Sequence, residues 1–168
     1  MIEAAALFQI LSAFSDVDDF KVNEFEKSEI SCLAENIYFE ARNQSLAGKI
    51  AVGLVTLNRV RDARFPDTVC SVVKQGPTYT NWKGNIIPVK NRCQFSWYCD
   101  GQADTIHEKH IEYYKEILDI SIDLYYNEFY DITEGSTHYH ADYVSPDWAS
   151  TKTKTTEIDD HIFYRWEE

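Results

Sequence analysis

Apolar residues at positions 30, 33, 37 and 41 recur at helical spacing, so residues 28–44, SEISCLAENIYFEARNQ, predict a helix with one packed stripe. Ser28 is placed to cap its start. At about 100° per residue, Glu40 falls on the same stripe as Leu33 and Ile37, whereas Glu35 projects from roughly the opposite side. A carboxylate on a packed face is paired, protonated or working. Asn43-Gln44-Ser45 then breaks the pattern, and Ser45 can cap a second helix, Leu46–Arg61. Ile50, Ala51, Val52, Leu54, Val55 and Leu57 leave that helix almost no polar side, which predicts a central, buried element. Gly53 within it predicts close approach of another element. A short helix follows over residues 68–75, capped by Asp67 and packed through Val69, Val72 and Val73.

Residues 76–92 read as a long irregular loop, broken by Gly76-Pro77, Gly84-Asn85 and Pro88 and carrying Tyr79 and Trp82. CQFSWYCD, residues 93–100, reads as an extended segment or tight hairpin. Thr105-x-x-Glu108 has the form of a capping box opening a long helix to about Tyr126, with Ile106, His110, Tyr113, Ile117, Ile120 and Leu124 as its stripe. The period then changes to alternation over 137–144 and 152–158, with a third short strand at 161–165. The expected class is α+β, a helical body with a small antiparallel sheet. Residues 1–27 form a lead-in, with a short amphipathic helix over 4–14 and an acidic, polar stretch over 15–27. Residues 28–168 form the one domain. The 4–14 segment lacks a basic start and a clear cleavage site and makes a poor signal peptide, and no run approaches transmembrane length.

Charge narrows the partners. A formal net charge of −12 argues against nucleic acid or anionic lipid as the main partner, and binding to any anionic polymer must come from a local groove. The four cysteines, Cys32, Cys70, Cys93 and Cys99, include no CxxC pair. They permit two disulfides, and Cys93 with Cys99 can close a small loop; buried free thiols are the alternative.

Three constellations carry chemistry. Burial should raise the pKa of Glu40, and a carboxylic acid protonated near neutral pH can donate to a leaving oxygen, as glycoside cleavage requires. The bland reading is an ion pair with Arg42, Arg59 or Arg61. His138 and His140 share one strand face, and with Glu40, a cysteine or Asp142 could ligate zinc; no third ligand stands at readable spacing, so no metal or cofactor is expected. His110 is expected to be a satisfied core histidine. Gln94-Phe95-Ser96-Trp97 interleaves polar groups with rings, which suits an N-acetyl sugar.

The runs CLAENIYFEARNQSLAGKIAVGLVTLNRV, FPDTVCSVV, CQFSWYCDG, THYHADYVSPDW and DHIFYR, in that order, resemble the cell wall hydrolases of the SleB/CwlJ type, which include spore-cortex-lytic enzymes and phage lysins. The resemblance extends over residues 31–165. It implies a lysozyme-like helical core with a small antiparallel β subdomain. It also implies a lytic transglycosylase that cuts the MurNAc–GlcNAc bond of peptidoglycan and leaves a 1,6-anhydro end. The family's catalytic glutamate lies in a YxEAR block, which places that role on Glu40. Gln94 and Ser96 would orient the sugar substituents, Phe95 and Trp97 would wall the site, and His138, Tyr139, His140 and Tyr164 would line the sugar path. A monomer acting outside the cytoplasm, released by a holin, completes the expectation. The family continues with Gly-Glu where this chain has Asn43-Gln44. That departure keeps open a non-catalytic wall-binding or virion module, and the His138/His140 pair keeps open a zinc amidase.

Overall fold

The structure, a computed structural model, describes residues 22–167. Its first helix starts earlier than Ser28. The Asn23 side chain accepts from the Glu26 amide and the Glu26 carboxylate accepts from the Asn23 amide, a reciprocal box that opens α1, Glu24–Ala41. Ser28 instead donates to the Phe25 carbonyl within that helix. The acidic end of the lead-in is therefore the first turn of α1, where carboxylates suit the helix dipole. The helix expected over 4–14 lies outside the described residues.

Ile30, Leu33, Ile37 and Ala41 are all buried, and α1 packs against α2 (Leu46–Arg61), α3 (Val69–Val73) and α4 (Ile111–Tyr126). Ser45 caps α2 as expected, accepting from the Gly48 amide. α2 is apolar all round because it has two partners. Val52, Leu54 and Leu57 belong to the helical core, while Ala51 and Val55 pack on Phe163 of the sheet. At Gly53 a Cβ would lie 2.5 Å from Leu124 Cδ1 and 3.1 Å from Ile37 Cδ1, so glycine lets the three helices meet.

α3 is shorter than expected, and its cap is Thr68 rather than Asp67, accepting from the Ser71 amide. Its first amides, from Val69 and Cys70, donate to the buried Glu29 carboxylate of α1. A disulfide joins Cys32 to Cys70 beside that contact, and a second joins Cys93 to Cys99.

Three local expectations change. Within 76–92 the chain forms an antiparallel hairpin, β1 (Thr78–Thr80) and β2 (Ile86–Pro88), in place of irregular loop. Residues 96–99 form a 3-10 turn, not an extended segment, because the Cys93–Cys99 bridge folds the chain back on itself. The long helix has no Thr105 cap; a 3-10 turn, Glu108–His110, leads into α4 after Ile106 is buried. Its buried face runs through Ile111, Tyr114, Ile117, Leu118, Ser121 and Leu124, leaving Tyr113 and Ile120 half-buried at the edge. His110 is half-buried, outside the core, and shares a 2.7 Å hydrogen bond with the Tyr38 hydroxyl.

The sheet is antiparallel in the order β3 (His138–Ala141), β5 (His161–Arg165), β4 (Thr153–Ile158). Tyr139 pairs with Phe163 in register, and both rings face α2. The α+β class therefore holds, with α2 as the plane shared by helices and sheet. No helix among the described residues is long and apolar enough to cross a membrane.

The Cys32–Cys70 bridge closes a 38-residue separation between α1 and α3. Replacing both cysteines by serine should lower unfolding stability by about 3–4 kcal/mol in a denaturant titration, while leaving the far-ultraviolet spectrum native.

Candidate active site

Glu40 is one residue from the end of α1, and the Tyr113 hydroxyl holds that end by donating to the Arg42 carbonyl. The Glu40 side chain is half-buried, and its Oε2 accepts from the Tyr139 hydroxyl at 2.8 Å. Alternation along β3 turns Tyr139 inward, so a strand residue meets a helix residue at this bond. Arg59 arrives from the last turn of α2. It continues Ala51 and Val55 at four-residue spacing and is 5% exposed. Its Nε donates to the Thr137 carbonyl at 2.7 Å, and its guanidinium lies 4.9 Å from the Phe95 ring centre and 5.3 Å from that of Phe65. Arg59 Nη1 is buried with no hydrogen-bond partner.

Glu40, Arg59, Gln94, Phe95, Ser96 and Tyr139 line one small cleft of about 120 Å³. Burial pushes the Glu40 carboxyl above the usual carboxylate range, against the opposing pull of the Tyr139 hydrogen bond and the Arg59 charge. Burial, reinforced by Glu40, holds the Tyr139 phenol far above its ordinary pKa, so it remains a donor. Among the described residues the ion pairs within 4 Å do not include Glu40. Its partner is a neutral hydroxyl, not the arginine that an ordinary structural pair would supply. A carboxyl so placed keeps its proton to higher pH than an exposed glutamate does and can release it to a group in the cleft.

Gln94, Phe95, Ser96 and Tyr139 are thus brought to Glu40, and Trp97, His138, His140 and Tyr164 are not. Trp97 stacks on Phe39 at 4.5 Å and donates from its indole to Asn36 Oδ1, whose amide donates onward to Thr56. It braces the cleft wall from behind. His138, His140 and Tyr164 face the other side of the sheet, where His140 stacks on Tyr164 and both histidines touch Trp148. Burial, followed by Arg59, Lys152 and Arg64, pushes His138 down to about 3, and the same cations would oppose a metal ion there. His140 shares its ring nitrogens with the Ala141 carbonyl and the Tyr164 hydroxyl. All four cysteines are in disulfides, and among the described residues no three His, Cys, Asp or Glu side chains are grouped to hold a metal.

Arg59 is the member that sequence reasoning missed as a site residue. A charge on a packed helical stripe, the signal that singled out Glu40, also marks it. The departure at Asn43-Gln44 lies outside the cleft. Gln44 donates to Asp160 Oδ2 and accepts the Asp160 amide, while Asp159 accepts from the amide and hydroxyl of Ser45. An amide suits this turn between β4 and β5, where a glutamate would face two aspartates.

The chain matches the Cell Wall Hydrolase family over residues 43–164. That stretch includes Arg59, Gln94, Phe95, Ser96 and Tyr139 and begins after Glu40. The chain is similar to a spore cortex-lytic enzyme of Oceanobacillus iheyensis, 38% identical over 56 residues, which are 33% of this chain and 20% of that protein. A spore cortex-lytic enzyme of Bacillus cereus is 36% identical over 58 residues, 34% of this chain and 22% of that protein. The matched region is thus about a fifth of the length of these relatives. Among solved structures, the catalytic domain of the germination-specific lytic transglycosylase SleB from Bacillus anthracis is 26% identical with a TM-score of 0.59, covering 86% of this chain and 99% of that one. The Bacillus cereus SleB catalytic domain is 26% identical with a TM-score of 0.56, covering 86% and 94%. The fold, helical core with appended sheet, is therefore that of the SleB catalytic domain, and it is lysozyme-like.

Two outcomes follow from the electrostatics. The folded state holds the Glu40 proton to higher pH than the unfolded chain does, so this group favours folding below the ordinary glutamate range and that contribution is lost as pH rises through its raised pKa. Glu40→Gln should therefore raise the melting temperature near neutral pH, with the gain vanishing below about pH 4. Tyr139→Phe removes a bond that lowers the Glu40 pKa, so the carboxyl titration followed by infrared spectroscopy should move upward.

Proposed function

Because this chain belongs to the cell wall hydrolase family, we propose that it is a peptidoglycan lytic transglycosylase in which Glu40 is the catalytic acid and base. The observation that carries this reading is the lone carboxyl in the cleft. Among the described residues, the other lining groups are Arg59, Gln94, Phe95, Ser96 and Tyr139, none of them an acid. A hydrolytic inverting glycosidase needs a second carboxylate to activate water, and a retaining one needs a second as nucleophile. An intramolecular reaction needs neither.

In the proposed sequence, Tyr139 occupies Oε2 of Glu40 and leaves the other oxygen to present the proton to the cleft. Glu40 donates that proton to the glycosidic oxygen between N-acetylmuramic acid and N-acetylglucosamine. The C1–O bond breaks as positive charge develops on the muramic acid ring. The C6 hydroxyl of the same sugar then forms a bond to C1, and its proton returns to Glu40. The 1,6-anhydro ring closes, and the acid is restored. The unpartnered Nη1 of Arg59 offers a donor to a substrate oxygen, held in place by the Thr137 carbonyl and two phenylalanine rings. Gln94 and Ser96 supply polar contacts to the N-acetyl or lactyl groups. The partner is the glycan strand of peptidoglycan, and the protein acts on it as a monomer. Both disulfides suit a place of action outside the reducing cytoplasm, reached in this reading through a phage holin.

Glu40→Gln should lower release of soluble muropeptides from purified peptidoglycan by about 10²–10⁴-fold. Mass spectrometry of the parent digest should show 1,6-anhydro ends. Hydrated reducing ends or free peptide stems would contradict the proposal, as would a Glu40→Gln variant of undiminished activity.

A further inference from the structure

None of the 28 acidic residues of this chain lies between positions 68 and 99, whereas Lys74, Lys83, Lys90 and Arg92 do. All four cations are exposed. In a protein of net charge −12 this stretch of chain reverses the sign; Lys83 stands at the tip of the β1–β2 hairpin and Lys90 and Arg92 follow it toward the cleft wall, whereas Lys74 lies at the end of α3 beside Glu35. The same hairpin carries Trp82, 89% exposed, with Ile86 at 73% and Tyr79 at 54%. By the register Tyr79 lies on one face of the ribbon and Ile86 on the other, with Trp82 at the turn. Exposed apolar side chains gathered on one projecting hairpin mark a binding site, and the local charge sets the sign of what binds.

The arm is built, not loose. At its tip the Asn81 side chain accepts the amides of both Lys83 and Asn85, and Gly84 turns the chain with a φ of 80°. That turn holds Trp82 and Lys83 outward, with Lys83 Nζ 4.8 Å from the Trp82 ring centre. At its base the Val89 amide donates to the Pro77 carbonyl, and the Gln94 amide donates to the Gln75 carbonyl. Gly76 lies so close to Cys93 that a Cβ would come within 3.0 Å of its Cα. After β2 the chain turns at Lys90-Asn91, where the Asn91 amide donates to the Cys99 carbonyl, and then reaches Gln94, Phe95 and Ser96, which line the Glu40 cleft. Arm and cleft wall are therefore joined by a short, hydrogen-bonded segment, with the tip roughly 15 Å from the base.

We propose that the β1–β2 hairpin is a strand-gripping arm for an anionic peptidoglycan strand, engaging it beyond the sugars that occupy the Glu40 cleft. The substrate class rests on the function proposed above. Trp82 and Tyr79 present flat faces to the C–H faces of sugar rings, while Lys83, Lys90 and Arg92 meet the carboxylates of the peptide stems. The rest of the acidic surface repels such a polymer, so the arm also sets which way the strand lies across the protein.

The test uses the full chain carrying Glu40→Gln, pelleted with purified sacculi stripped of phosphate polymers by hydrofluoric acid. Trp82→Ala and the pair Lys83→Glu/Lys90→Glu should each weaken binding at least about fivefold, and raised salt should shrink only the contribution of the charged pair. With Glu40 intact, the same variants should cleave a short soluble glycan that fills only the cleft at the parent rate. Binding to stripped sacculi within about twofold of the parent for both variants would overturn the proposal. So would binding that requires unstripped sacculi, which would assign the arm to a phosphate polymer. Equal loss on the short glycan, with an unchanged melting temperature, would reduce the hairpin to part of the cleft. Absence of anhydro products from the parent would sink the transglycosylase reading separately, because the pelleting result does not depend on turnover.

Discussion

The hydrogen bond from Tyr139 to Glu40 is the contact on which the rest of the arrangement turns. It joins the end of the first helix to the first strand of the sheet, residues 99 apart in sequence. Everything else in the fold can be read as what is needed to hold those two atoms together at the edge of a dry core. α2 lies between α1 and the sheet, with Gly53 letting it approach the helices closely and Ala51 and Val55 seating Phe163 beside Tyr139. Glu29 and the Cys32–Cys70 bridge tie α3 to α1, so the helix that carries Glu40 is anchored along its length. Because the bond partner is a neutral phenol, burial dominates and the carboxyl keeps its proton longer than an exposed glutamate does.

Much of this was legible in the residues themselves. Leu46–Arg61 is bounded by a serine cap and a run with no polar side, and both signals survive into the structure unchanged. Glu40 stood out because a charge on a packed stripe demands an explanation. The failures have physical causes. α1 begins early because its cap is an Asn23–Glu26 box inside a stretch whose polarity resembles a linker. The hairpin was hidden because three-residue strands are too short to show alternation, and its turn residues look like any loop. The bridge between Cys93 and Cys99 overrides the alternation of Gln94 to Trp97 and turns Trp97 inward onto Phe39. Alternation divides β3 into two faces without saying which one meets the core. Tyr139 went in, so His138 and His140 faced away with Tyr164. Arg59 stood only among the possible ion-pair partners of Glu40, because a cation at a helix end already has a sufficient explanation in the dipole.

Charge is distributed with the same economy. The acidic excess lies outside residues 68–99, and within them cations and exposed rings accumulate beside the cleft wall. The Asn43-Gln44 departure fits the acidic turn at Asp159-Asp160 and leaves the cleft untouched. The function proposed for Glu40 therefore does not depend on the second acid that this chain lacks.

The central claim is that one half-buried acid handles both proton transfers without a second carboxylate. The dependence of kcat on pH measures this most directly. The account predicts one descending limb, above the ordinary carboxylate range, as Glu40 loses its proton, and a flat rate on the acid side. A rising limb within the carboxylate range would reveal a second ionised acid at work and contradict it.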